Sequence, residues 1–172
     1  RGESVGSSLI KHAGVRMVTL TGDISTGQKV LQAAYRTVKR THLELGGKAP
    51  VIVLDDADLD KVVASVTKYG YYNAGQDCTA ACHIYAEKGI YERLVADLSA
   101  SVGRLKFNQE DDEQNDLGPL ISERQRNSVA SFVERADELL HTDILVGGAI
   151  PHSSGFFYQP TLIAGVRVED EI

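Results

Sequence analysis

The chain has 172 residues, 42% of them apolar, and a formal net charge of −6. That length supports one hydrophobic core, and an acidic balance with no run of more than two basic residues excludes a nucleic-acid backbone binder. No apolar run nears the roughly 18 residues of a membrane span, and no signal-peptide pattern opens the chain, so no membrane partner is expected.

The two cysteines, Cys78 and Cys82, sit four apart, which is neither a disulfide framework nor a zinc spacing. No metal is expected, and the expected compartment is the reducing cytoplasm. A start at Arg1 without Met, and an end at Ile172 with no stop signal, lead to the expectation of an internal piece of a longer protein.

In chain order, residues 3–13 read as a helix through Val5, Leu9 and Ile10, closed by Gly14. Arg16 to Leu20 reads as a strand. Thr21, Gly22 and Asp23 break it, and a helix follows from Ile24 to Thr37. A strand, a glycine turn and a helix make half of a nucleotide-binding unit, whose helix N-terminus favours an anionic phosphate. Thr41 to Leu45 alternates like a strand and ends in Gly46 and Gly47. Val51 to Leu54 reads as a buried strand, and Leu59, Val62, Val63, Val66 and Tyr69 mark a helix face behind an acidic cap at 55–60.

Cys82 to Ala86 reads as a strand and Ile90 to Leu105 as a helix, with a polar loop over 107–119. Ser122 and Gln125 form a capping-box pattern for a helix to about Leu140. Strands and turns are expected at 144–146 and 156–163. Alternating helix and strand predicts an α/β fold with a largely parallel sheet.

Several motifs have a plainer alternative. Gly22 to Gly27 has the glycine spacing of a P-loop, but Gln28 stands where lysine is required and Lys29 is one residue late. An ordinary strand-to-helix turn remains open there. Asp56, Asp58 and Asp60 mimic a calcium loop, yet Lys61 and Thr67 replace its glycine and glutamate, which leaves a helix cap. Glu44 is either a solvent-facing strand carboxylate or a general base at a strand end.

Cys78 follows Gly75, Gln76 and Asp77 where a helix breaks before a strand. A free cysteine is more often an inert small hydrophobe, but these polar neighbours favour a presented thiol. Cys82, placed in the apolar strand, fits the inert reading better. The anion of Asp77 opposes thiolate formation unless a cation offsets it. A cysteine hydrolase using His42 or His83 is the competing enzyme class.

The segment THLELGGKAP at 41–50, taken with NAGQDC at 73–78 and LTGD at 20–23, resembles the NAD(P)-dependent aldehyde dehydrogenase superfamily. Within it the details look closest to aminoaldehyde (γ-aminobutyraldehyde-type) dehydrogenases, with betaine aldehyde dehydrogenases next. The resemblance implies an aldehyde dehydrogenase-like α/β fold, with residues 1–46 ending the Rossmann-like cofactor domain and 47–172 in the catalytic domain. It also implies Cys78 as the nucleophile that forms a thiohemiacetal and then a thioester, and Glu44 as the base for hydrolysis.

The oxyanion would be held by the Cys78 N–H and by an asparagine upstream of this chain. For NAD, with NADP as an alternative, the implied contacts are Gly22, Asp23, Ile24, Ser25 and Thr26 by the pyrophosphate, Leu45 by the nicotinamide and Ser7 by the adenine. Asp23 departs from the family's serine. Asp77 and Tyr72 border the implied substrate tunnel, where an anion suits an amine-bearing aldehyde such as 4-aminobutanal. Further expectations are a homotetramer or dimer when full length, a place in polyamine (putrescine) degradation, and little activity from this piece alone. A betaine or general aliphatic aldehyde dehydrogenase, or an inactive fragment, is the alternative.

Overall fold

A computed structural model describes residues 2–108, 112–152 and 154–172. The chain divides into two compact units, Arg1–Gly47 and Lys48–Ile172.

In the first unit a π-helical turn, Gly2–Gly6, leads into helix α1 (Ser7–Lys11), so the helix predicted over 3–13 is shorter and less regular. Strand β1 (Met17–Gly22), helix α2 (Ile24–Ala34) and strand β2 (Arg40–Leu45) follow. The two strands pair in parallel, with Thr21 opposite Glu44 and Gly22 opposite Leu45. Helix α2 buries Gly27, Val30 and Ala34 at helical spacing. A β-carbon on Gly27 would lie 2.9 Å from Leu45 Cδ1, so glycine permits the helix to sit this close to β2.

The second unit opens with strand β3 (Pro50–Val53), helix α3 (Leu59–Tyr71), strand β4 (His83–Ala86) and helix α4 (Lys88–Val102). Strands β3 and β4 are parallel, as a helical crossover requires. Their inner face meets α3 and α4 in a core of Val53, Leu59, Val66, Ile90, Leu94 and Leu98. Each fully buried side chain of this kind contributes about 1.5–3 kcal/mol relative to exposure. Asp58 caps α3 by accepting the Lys61 N–H at 3.3 Å, and the Lys61 ammonium lies 2.8 Å from the same carboxylate. Glu87 reaches back at the β4–α4 junction, its carboxylate accepting the Asp55 N–H at 2.6 Å.

The loop expected at 107–119 holds a short 3-10 turn at Asp112–Gln114; residues 109–111 lie outside the described residues. Ser122 caps helix α5 (Glu123–Asp137) by accepting the Gln125 N–H at 3.2 Å. The helix ends three residues before the predicted Leu140. Strand β5 (Asp143–Val146) and strand β6 (Leu162–Ala164) pair antiparallel.

The expectation of one largely parallel sheet is therefore corrected. Among the described residues there are three two-stranded sheets, two parallel and one antiparallel. Between β5 and β6 the chain reverses through Gly147 and Gly148, both at positive φ, and among the described residues no helix carries a parallel crossover. Of the strands and turns expected over 156–163, the strand is β6 alone, preceded by a bend at Phe156 and an irregular stretch over 157–161. No helix among the described residues is long and apolar enough to cross a membrane.

Candidate active site

Cys78 stands on an exposed turn between α3 and β4. Helix α3 ends at Tyr71, whose hydroxyl donates to the Thr161 carbonyl at 2.8 Å. Burial pushes the Tyr71 phenol well above its ordinary pKa. Asn73, Ala74 and Gly75 then adopt φ values of 52°, 56° and 73°, three left-handed residues in succession. Asparagine and glycine tolerate this region, whereas alanine there is disfavoured by about 1–2 kcal/mol.

The turn is fastened by Asn73 and Gln76. Asn73 Nδ2 donates to the Gln76 carbonyl at 3.0 Å, and Gln76 Nε2 donates to the Asn73 carbonyl at 3.1 Å. Sequence reasoning noted Gln76 only as a polar neighbour and assigned nothing to Asn73. The available signal was an asparagine before Ala-Gly at a helix end, a setting that favours a left-handed residue.

Asp77 arches over the thiol's backbone. Its Oδ1 accepts the Thr79 N–H and the Thr79 hydroxyl, each at 2.7 Å. Those bonds, the hydroxyl's first, hold its carboxyl below the usual range, so it is anionic at neutral pH. Among the described residues no group accepts the Cys78 N–H, and none bonds the Cys78 sulfur. His83 instead stacks on Tyr85, with ring centroids 4.6 Å apart, and among the described residues no histidine bonds Cys78. An exposed thiol beside a free N–H can attack a carbonyl carbon and donate to the oxygen that becomes negative.

The placement of Cys82 differs from expectation. It precedes β4, is exposed, and donates its S–H to the Lys48 carbonyl at 2.8 Å, so it is not a packed core thiol. Tyr72, 63% exposed, directly precedes the left-handed residues. A groove of about 560 Å³ in the second unit is lined by Tyr71, Ala74, Gly75, Cys82, Leu120 and Thr161 among others. Tyr72, Asp77 and Cys78 lie outside that lining.

In the first unit, Gly22, Asp23, Ile24, Ser25 and Thr26 are all exposed where β1 passes into α2. Asp23 is the N-cap: its Oδ1 accepts the Ser25 N–H at 2.7 Å. Bonds from Ser25 hold its carboxyl below the ordinary value. This gives the departure from serine a local cause, since aspartate caps a helix as well as serine does. Leu45 lies in register with Gly22 and against Gly27, so the turn and the end of β2 are brought together. Glu44, one residue earlier, is exposed on the outward face of β2. Ser7 begins α1, which packs beside α2; among the described residues no hydrogen bond joins Ser7 to the turn.

A family model described as the aldehyde dehydrogenase family matches residues 1–172. The chain belongs to the aldehyde dehydrogenase family. Lactaldehyde dehydrogenase of Escherichia coli K12 is 38% identical over 178 aligned positions, covering all of this chain and 36% of that one. The crystal structure of the E. coli enzyme superposes with a TM-score of 0.93 at 37% identity, over 99% of this chain and 36% of the other.

A betaine aldehyde dehydrogenase of Staphylococcus aureus in complex with NAD+ gives a TM-score of 0.88 at 34% identity, over 95% of this chain and 33% of that one. The fold is thus the α/β fold of the aldehyde dehydrogenases, and the chain spans about a third of the length of the curated relatives it matches. Within this aldehyde dehydrogenase chain the β1–α2 turn fits a dinucleotide phosphate in kind. It is a helix N-terminus at the carboxyl end of a parallel strand, closely packed through a glycine.

Proposed function

We propose that the protein to which this chain belongs oxidises an aminoaldehyde to its carboxylate with Cys78 as nucleophile and Glu44 as general base. The observation that supports it most is the Cys78 turn, with its exposed thiol, its unpartnered N–H and the anion of Asp77 alongside. The Cys78 sulfur adds to the aldehyde carbon, and its N–H donates to the oxyanion of the thiohemiacetal. NAD+, or NADP+ as the alternative, supplies the hydride acceptor when bound. Gly22 to Thr26 would face its pyrophosphate, Leu45 its nicotinamide and Ser7 its adenine.

The thioester left on Cys78 keeps an electrophilic carbonyl. Glu44 takes a proton from water, whose oxygen adds to that carbonyl, and the acid leaves as the thiolate is restored. Asp77 would draw the substrate's ammonium toward the thiol and offset its own repulsion of the thiolate through that bound cation. Tyr72 would form a wall of the substrate path. The same reading places the reaction after oxidation of a diamine such as putrescine, in a cytoplasmic homotetramer or dimer.

Betaine aldehyde is the second reading, because its cation suits Asp77 equally and the name recurs among the relatives. A protonated amine can donate to the Asp77 carboxylate, whereas a trimethylammonium cannot. In the full-length protein, Cys78→Ser should abolish aldehyde-dependent NADH formation. Glu44→Gln should keep the first-turnover burst and lose steady-state turnover. A Cys78→Ser enzyme that still oxidises aldehydes would sink the mechanism, and a preference for uncharged aldehydes would sink the substrate class.

A further inference from the structure

The backbone that delivers Cys78 passes through three left-handed residues, two of which carry side chains. Such a turn relaxes unless its surroundings hold it. Gln76, two residues before the thiol, is bonded on both sides of it. Its N–H and its Nε2 both donate to the Asn73 carbonyl, at 3.2 and 3.1 Å, and its carbonyl accepts Asn73 Nδ2. Its Oε1 accepts the Ile121 N–H at 2.9 Å, across 45 residues of sequence.

The amide's orientation follows from its partners. Reversed, it would set an NH2 against the Ile121 N–H and an oxygen against the Asn73 carbonyl. Ile121 directly precedes Ser122, the cap of α5, and α5 buries Ala130, Val133 and Ala136. The bond therefore moors the turn to the start of a fifteen-residue helix.

We infer that Gln76 is the positioning residue of the nucleophile turn, aiming the Cys78 thiol and N–H by clamping Asn73 to the Ile121 backbone. The inference rests on Cys78 being the nucleophile and adds what fixes its direction. Rotation at 73–75 swings the sulfur and the N–H together, so both the attack and the oxyanion contact depend on one clamp. Only a side chain with an acceptor and a donor on one planar group closes it. Glutamate keeps the Ile121 bond and loses the one to Asn73, and leucine loses both.

The test uses the full-length protein with three readouts: the first-turnover NADH burst, the melting temperature, and alkylation of Cys78 by a small haloacetamide, followed by peptide mass. Gln76→Leu should lower the burst rate by about tenfold to a hundredfold, the scale of a misplacement of about 1 Å. Alkylation, which needs only an exposed thiolate, should stay within about twofold of the parent. Gln76→Glu, which keeps the Ile121 bond alone, should give a burst between those of the leucine variant and the parent. Ile121→Pro deletes the accepted N–H with Gln76 intact and should reproduce the loss; it decides the matter alone if the leucine variant does not fold.

A parental burst in Gln76→Leu or Ile121→Pro overturns the inference. So does a burst that falls only in step with alkylation. A Cys78→Ser enzyme that still forms NADH overturns the nucleophile reading instead, so the two failures are separable.

Discussion

Replacing Asp77 by Asn tests a charge while sparing the turn. In the structure Oδ1 accepts from both the Thr79 N–H and its hydroxyl, and an asparagine oxygen can keep those bonds. What disappears is one negative charge next to the thiol. The carboxyl is held below its usual pKa, so it is charged across any practical assay range. A charge pair about 4 Å apart corresponds to roughly a fivefold preference in a water-like medium and several hundredfold at an effective dielectric near 20.

Asp77 is exposed, which selects the lower figure. The expected result is a fall of about fivefold to tenfold in kcat/KM for a protonated aminoaldehyde. An uncharged aldehyde of equal length should be unaffected or react faster, because the anion opposing the thiolate has gone. Raising the ionic strength should shrink the parent's preference and leave the variant's unchanged. Initial rates of NADH formation with both aldehydes at two salt concentrations measure this. Equal losses with the two substrates, or a preference indifferent to salt, would refute the assignment of Asp77 to the amine.

Two further predictions concern what holds the second unit together. Tyr71→Phe removes the hydroxyl that donates to the Thr161 carbonyl and should cost about 0.5–1.5 kcal/mol in urea unfolding; a change below about 0.3 would show that the bond contributes nothing. Asp170 accepts the Arg167 N–H at 2.7 Å and bonds His141 Nε2 at 2.9 Å, and these contacts, that of Arg167 first, hold its carboxyl below the ordinary value. A carboxyl depressed on folding contributes stability that is complete above its unfolded pKa and is lost as the pH falls through the folded one. Asp170→Asn should therefore melt below the parent at neutral pH, and the gap should begin to narrow near about pH 4 and close only once the pH is below the depressed folded value. A gap that persists in acid would rule out the ionised carboxylate as its source.

The sequence carried the local structure well where one physical signal governed it. The apolar spacing of Leu59, Val62, Val63 and Val66 placed α3, and Ser122 with Gln125 placed the start of α5. Glu44 and Cys78 stood out through the company they keep. What periodicity could not convey is contact between distant segments. The Tyr71 hydroxyl meets a carbonyl 90 residues away, and Gln76 meets an N–H 45 residues away.

Some local readings failed for other reasons. Cys82 sits among apolar letters, yet its S–H reaches the Lys48 carbonyl outside any core. The departure from serine at Asp23 had no cause legible in the sequence; its bond to the Ser25 N–H supplies one, a cap on its own helix. The pairing of β5 with β6 turned on Gly147, where a β-carbon would overlap the Pro160 carbonyl. That constraint lies in backbone geometry.

The left-handed stretch at Asn73, Ala74 and Gly75 also acts as a filter on inheritance. A β-branched or bulky residue cannot take these dihedrals without strain, so the backbone admits a short alphabet of asparagine, glycine and a few small neighbours at three adjacent codons. Drift is therefore expensive in the turn itself and cheap on its flanks. If Tyr72 and Asp77 face the substrate as proposed, new preferences would accumulate there, one residue before the constrained triplet and two after it, where the dihedrals are not left-handed. The aim of the thiol and the choice of its target can then change independently over generations.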